Sequence, residues 1–127
     1  MSYSTIEDLT RWVDEDVLVQ LSTDDPEATI LSGDVAVVLD EMIESADSEI
    51  DSYLLGRWPG LRSYSPVPPE INRLSAMIAV YNLYLRRRSM PSVWKERYEQ
   101  CIERLLQASD GKTSLGLDNS GAVAKEP

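Results

Sequence analysis

Apolar residues recur every three or four positions along most of the chain, which is the spacing of amphipathic helices. The most regular series runs from Val35 to Leu54, with acidic and small polar residues between its apolar positions. Gly56 is expected to end this helix in a left-handed conformation. The pattern predicts three long helices: Asp34 to Gly56, Pro68 or Pro69 to Arg88, and Ser89 to Gly111.

Two shorter helical pieces are predicted before the first long helix. Ser4 is followed three residues later by Glu7, which is the pattern of a capping box that satisfies free backbone amides at a helix start. The acidic run from Asp14 to Asp16 is suited to begin a second short helix. Residues 22–33 contain two aspartates and a proline and are predicted to form a loop.

These elements define the expected fold class. No segment has the alternation of a strand, and short connections favour antiparallel neighbours. We therefore expect an all-α protein, a compact antiparallel helix bundle of two short N-terminal and three longer helices. Residues 1–110 would form this domain, and residues 111–127 an extended C-terminal tail. A chain of 127 residues is long enough for one domain with its own core.

Charge is unevenly distributed along the chain, whose net charge is -10. Residues 1–54 hold 15 acidic residues and 1 basic residue, whereas residues 55–109 hold 4 acidic and 9 basic residues. A surface with a negative and a positive side can join copies head to tail. Alternatively, the two sets of charges pair within one monomer. A strongly acidic surface also repels nucleic acid.

Residue types that carry common active-site chemistry are scarce. The sequence has no histidine and a single cysteine, Cys101, which is expected to be a small buried hydrophobe. There is no glycine-rich phosphate loop, and the acidic segment 23–28 lacks the spacing of a calcium loop. We expect no enzymatic activity, no cofactor and no metal site. No apolar run is long enough to span a membrane, so we expect a soluble protein made in the cytoplasm.

Several residues are candidates for contact with other proteins. Trp58 lies beside a predicted helix end, where it is either an interface anchor or part of the core. The run Arg86, Arg87 and Arg88 is suited to bind a partner carboxylate, or else to meet the acidic helix of its own chain. The predicted acidic face of the first long helix, a candidate ring interface, comprises Asp40, Glu44, Asp47 and Asp51.

The C-terminal tail offers a further candidate. Leu115 and Leu117 alternate with small residues, a pattern that can add a strand to a neighbour or place leucines in its pockets. The alternative is a frayed terminus.

Short motifs occur in order along nearly the whole chain, and together they resemble one known family. The motifs are YSTIEDL at 3–9, VQLS at 19–22, ADSEIDSYL at 46–54, RWP at 57–59, VPP at 67–69, YNLY at 81–84, RYE at 97–99 and GKTSLGL at 111–117. The sequence resembles the small neck proteins of Mu-like phages and prophages, long catalogued as a domain of unknown function. Relatives often have an Asp/Gly-rich loop where this chain has residues 23–27.

The resemblance implies a head–tail connector, also called an adaptor or head-completion protein. Such proteins form a ring in the virion neck, typically of twelve copies, between the portal protein and a tail-terminator or other neck protein. DNA would pass through the ring without specific binding. The resemblance also implies that Leu115 and Leu117 dock on the portal, and that the protein resides in the host cytoplasm before assembly.

A second class of function fits the composition. A small acidic module that binds a regulatory partner, or that mimics nucleic acid, would have the same net charge. Such a mimic would stay small and compete with DNA for a basic partner, whereas a connector would assemble on a portal.

Overall fold

The computed structural model describes residues 2–115 and 117, and this part of the chain contains helices and connections but no strand. It confirms the all-α class, with two short helices followed by three longer ones. The elements are α1 (Ile6–Leu9), α2 (Glu15–Ser22), α3 (Gly33–Leu54), a short 3-10 helix (Leu61–Ser63), α4 (Pro69–Arg86) and α5 (Ser92–Ser109). Among these residues, no helix combines the length and apolar content needed to cross a membrane.

Helix α4 is the centre of the bundle. Every residue from Leu74 to Val80 is buried, because α4 packs against both α3 and α5. Asn82 of α4 donates a hydrogen bond to the carbonyl of Met42 on α3 at 3.5 Å. The ring of Tyr81 on α4 stacks on Tyr98 of α5, with centroids 3.9 Å apart. Ion pairing of Glu70, at the start of α4, with Arg104, near the end of α5, is consistent with an antiparallel pair.

The first helix begins one residue later than predicted. Thr5, not Ser4, is the N-cap, and its reciprocal partner is Asp8 rather than Glu7. The sequence pattern fits both registers, but Ser4 has a different role. Its side chain is buried, and its hydroxyl lies 2.6 Å from the hydroxyl of Ser75 on α4.

The helix ends agree with the prediction at Gly111 but not at Gly56. Gly111 has φ 83 and ends α5, and the amide of Lys112 donates to the carbonyl of Gln107 at 2.8 Å, as in a Schellman motif. Gly56 does not have a positive φ. Helix α3 ends at Leu54, its C-cap Leu55 is right-handed, and the chain continues through turns. The left-handed residue after α4 is Arg88, with φ 56.

The beginning of the C-terminal segment is packed on the bundle rather than extended. Leu115 and Leu117 are 3% and 5% exposed and belong to the hydrophobic core. Their burial corrects the prediction of an extended tail from residue 111, because burying two leucines stabilises the folded-back path. Residues 116 and 118–127 lie outside the described residues, and for them the division at residue 110 stays a prediction.

Candidate interaction surfaces

Trp58 is not an exposed anchor. Its side chain is 2% exposed and belongs to the core, and its indole N–H has no hydrogen-bond partner in the described part of the chain. The guanidinium of Arg57, an exposed residue, lies 5.9 Å from the ring centroid. The connector after α3 therefore folds inward, and the interface position predicted for Trp58 is corrected to a core position.

Two of the three consecutive arginines are engaged within the chain. Arg86 donates to the carbonyls of Leu21 and Ser22 at the end of α2, at 3.2 and 3.4 Å. Arg87 donates to the carbonyl of Leu21 at 3.1 Å and pairs with Asp24 at 3.0 Å. The last carbonyls of a helix have no partner within it and attract positive charge. Arg86 and Arg87 thus cap α2, and only Arg88 remains exposed without a described contact of its side chain.

The predicted acidic face divides into two pairs. Asp40 and Glu44 are exposed, as predicted. Asp47 is only 1% exposed, and the prediction that it lies on the exposed face is wrong. Its carboxylate accepts hydrogen bonds from the amide of Tyr3 at 3.0 Å and the hydroxyl of Ser75 at 2.6 Å. Burial raises the pKa of Asp47, although these two hydrogen bonds act in the opposite direction.

Asp51 is also occupied by contacts within the chain. It pairs with Arg62 at 2.7 Å and accepts a hydrogen bond from the hydroxyl of Tyr3. The guanidinium of Arg62 lies 4.4 Å from the centroid of the Tyr3 ring. Burial, followed by the hydrogen bond to Asp51, raises the pKa of Tyr3. Asp47 and Asp51 therefore hold the N-terminal segment on α3 and are not a free ring interface.

The exposed face of α3 forms what we call the acidic ridge. Its side chains recur at intervals of three or four residues, with two adjacent acidic residues at its middle, on the face of α3 opposite its buried apolar stripe. Within the described residues, none of its carboxylates has an ion-pair or hydrogen-bond partner. Val37, at its centre, is 59% exposed, and Leu31, just before α3, is 90% exposed. The ridge comprises Asp34, Val37, Asp40, Glu41 and Glu44.

A basic surface that the sequence interpretation missed lies between the turn after α1, helix α4 and helix α5. Two adjoining depressions of about 440 and 250 Å³ share Arg73 in their walls. We call them together the arginine groove, defined by Arg11, Trp12, Arg73, Arg97 and Arg104. Arg97 and Arg104 are seven residues apart, which places both on one side of α5, and this spacing was the available sequence signal.

The groove keeps a positive charge after its internal ion pairs are counted. Glu70 pairs with Arg73 and, at 3.5 Å, with Arg104, while Asp8 lies 3.7 Å from Arg11. Four arginines thus face two carboxylates. The guanidinium of Arg97 lies 4.7 Å from the ring centroid of Trp94 and 5.9 Å from that of Trp12, so the aromatic rings orient it.

Cys101 lies beneath the arginine groove. Its side chain is 2% exposed, as predicted for a small buried hydrophobe. Burial raises the pKa of its thiol to about 11, although nearby Arg73 acts in the opposite direction. The thiol therefore stays protonated near neutral pH. Across residues 2–115 and 117, no group of three or more acidic or cysteine side chains is placed to hold a metal ion.

Comparison with protein families identifies the chain. The family profile described as Bacteriophage Mu, Gp36 matches residues 3–127. The chain belongs to the Bacteriophage Mu Gp36 family. This confirms the resemblance to a Mu-like phage family that the ordered motifs indicated. Comparison with curated protein sequences gives no match. The Gp36 match includes both the acidic ridge and the arginine groove, so both surfaces lie inside the family region.

Proposed function

We propose that this Gp36-family chain is a head–tail connector, a subunit of a ring between the portal protein and the tail that extends the DNA channel. The observation that carries the proposal is the family match over residues 3–127. The chain would act by binding protein partners and not by catalysis. Its partners would be other copies of itself in a ring of twelve, the portal protein, and a tail-terminator or other neck protein. Its location would be the virion neck.

The size of the chain supports assembly into a ring. A bundle of 14.3 kDa built around the buried helix α4 has a filled core, so a channel for DNA would have to lie between subunits. The net charge of -10 disfavours adhesion of passing DNA to the subunits, because like charges repel.

The burial of Leu115 and Leu117 changes how the C-terminal segment would contribute. Both leucines are held in the core of their own chain. In the proposed connector they anchor the start of the C-terminal segment to the bundle and do not themselves reach the portal. Trp58 likewise supports the fold, so among the candidates in residues 2–115 and 117 the acidic ridge, the arginine groove and Arg88 stay available for contact with other subunits.

Electron microscopy of portal rings from the same phage, mixed with this chain, tests the proposal. We expect added ring-shaped density on one face of the portal, with the portal alone as the control. A second arm incubates the chain with DNA and a DNA-binding protein. If the portal gains no density and the chain displaces DNA from its partner, the connector is rejected and the acidic mimic is supported.

A further inference from the structure

We propose that the acidic ridge of one copy docks in the arginine groove of a second copy, and that this contact joins neighbouring subunits. The inference rests on the proposed ring and names the surfaces that would build it. From the sequence, the run Arg86, Arg87 and Arg88 is one candidate to bind a partner carboxylate. Because Arg86 and Arg87 cap α2 within the chain, the arginine groove is the better candidate for the positive side.

The charges of the two surfaces are complementary. The ridge presents the four carboxylates of Asp34, Asp40, Glu41 and Glu44 without described partners. The groove presents four arginines, against which its own chain supplies only Asp8 and Glu70. An arginine fork binds carboxylates through paired hydrogen bonds, so a carboxylate-bearing helix fits this groove better than an uncharged one.

The apolar parts of the surfaces also match. Val37 is 59% exposed at the centre of the ridge, and Leu31 is 90% exposed where the ridge begins. The groove contains the ring of Trp12, with Val67 and Met77 in its walls. Burial of Val37 and Leu31 against this ring would add apolar contact to the charge pairing. In the proposed contact, the carboxylates and aliphatic side chains of the ridge face the arginines and the aromatic ring of the groove.

The two surfaces lie on different sides of the subunit. Ser75 of α4 contacts α3 through Asp47. Arg73 is two residues away, and a helix turns about 100° per residue, so Arg73 points about 200° from the side facing α3. The acidic ridge lies on the far side of α3, opposite its buried apolar residues. A single copy therefore cannot fill its own groove, and the contact is head to tail, which can close into a ring.

Charge reversal on each surface, separately and together, tests the contact. Glu41→Lys with Glu44→Lys alters the ridge, and Arg11→Glu with Arg73→Glu alters the groove. We expect each double variant to lower the self-association constant at least about tenfold, by analytical ultracentrifugation at low salt. The chain carrying all four substitutions should recover association. Glu15→Lys with Asp16→Lys makes the same charge change on α2 and serves as the matched control.

A crosslinking arm gives a readout at high protein concentration and on portal rings. Glu44→Cys on the ridge and Gln100→Cys beside the groove, in one chain, should form disulfide-linked multimers under mild oxidation. Either cysteine alone should give dimers at most, because Cys101 is buried. Circular dichroism confirms that each variant is folded.

The outcomes separate this inference from the proposed function. The ridge-to-groove contact is overturned if both charge-reversed variants form normal rings on the portal and the double-cysteine variant forms no multimers. The proposed connector function is unaffected by that result. Absence of both portal binding and multimers overturns the two together. Loss of assembly in each double variant, with recovery in the combined one, supports the contact.

Discussion

The exposed and the buried carboxylates of α3 lie about one helical turn apart and have opposite surroundings. Asp40 and Glu44 face solvent, whereas Asp47 is buried beneath the N-terminal segment and Asp51 is paired with Arg62. In the sequence, all four occupy polar positions between the apolar positions of the helix. The difference arises because the chain near Tyr3 crosses only the second half of α3.

The two halves of α3 therefore differ in what their carboxylates contact. Asp40 and Glu44 in the first half have no partner among the described residues, and the proposed contact with a second copy would use them. The second half uses its carboxylates to fasten the N-terminus, through the backbone amide and the side chain of Tyr3. The following substitutions test this division.

Replacement of Asp47 should have the largest effect on stability. Asp47→Ala leaves the buried amide of Tyr3 and the hydroxyl of Ser75 without their acceptor, and we expect a loss of about 3 kcal/mol in the free energy of unfolding. Urea denaturation followed by circular dichroism measures it. Asp47→Asn should cost less, because its oxygen can accept from Tyr3 and its amide can donate to Ser75. Equal losses for Ala and Asn would contradict this account.

Removal of the Tyr3 hydroxyl should have a smaller effect. Tyr3→Phe keeps the buried ring and its contact with Arg62 but loses the hydrogen bond to Asp51, so we expect a loss of about 1 kcal/mol. Thermal or urea unfolding measures the difference. Tyr53→Phe is the control, because the Tyr53 hydroxyl has no hydrogen bond among the described residues. Identical stability of the two variants would show that Tyr3 does not fasten the segment through its hydroxyl.

Asp47 should also make the free energy of unfolding depend on pH, and we expect this effect to be smaller than the two changes above. Burial raises the pKa of Asp47 in the folded state above its ordinary value of 3.8, so the native state binds more protons between the two values. Its contribution to stability is therefore full below 3.8 and is lost as the pH rises through the folded pKa.

Unfolding curves of the wild type and Asp47→Asn, measured from pH 7 down to pH 4, test this sign. We expect the wild type to gain stability relative to Asp47→Asn as the pH falls. Asp8 acts in the opposite direction, because hydrogen bonds from Asn72 and Thr5 outweigh the effect of burial and lower its pKa. Asp8 is common to both proteins, so its contribution cancels in the difference. A difference that is constant with pH would mean that burial does not perturb Asp47.

The smallest effect is expected on the acidic ridge. Asp40→Asn and Glu44→Gln should each change the free energy of unfolding by no more than about 0.5 kcal/mol, because neither carboxylate has a described partner. The same urea titration measures it. A loss above about 1 kcal/mol would show that the ridge stabilises its own chain, and it would then be a poor candidate for contact with a second copy.

Local signals predicted the helices well. The apolar spacing located α3, α4 and α5, and Gly111 marked the end of α5 as predicted. Of the two prolines predicted to begin α4, the structure selects Pro69. Gly56 was assigned a left-handed end because glycine permits that conformation. Glycine can adopt this conformation but does not have to, and after α3 the chain turns so that Trp58 is buried.

The candidate residues were harder to predict. The position of Asp47 in the polar pattern says which side of α3 it occupies but not that residues 2–5 cover that side. The arginine groove joins residues from α4, from α5 and from the turn after α1, so no single stretch of sequence contains its pattern. The roles of Leu115 and Leu117 depended on whether the tail meets its own bundle, which their alternation with small residues does not specify.

The sequence by itself determined the three long helices, the start of α4 at one of two adjacent prolines, the end of α5 at Gly111, the excess of acidic charge and membership of a phage protein family. These properties depend on local conformational preference, on composition and on motif order. Only the tertiary structure decided which charges are free, because desolvation and pairing depend on what packs over a side chain. It placed Asp47 and Asp51 under the N-terminus, used Arg86 and Arg87 to cap α2, and left the acidic ridge and the arginine groove open on separate sides.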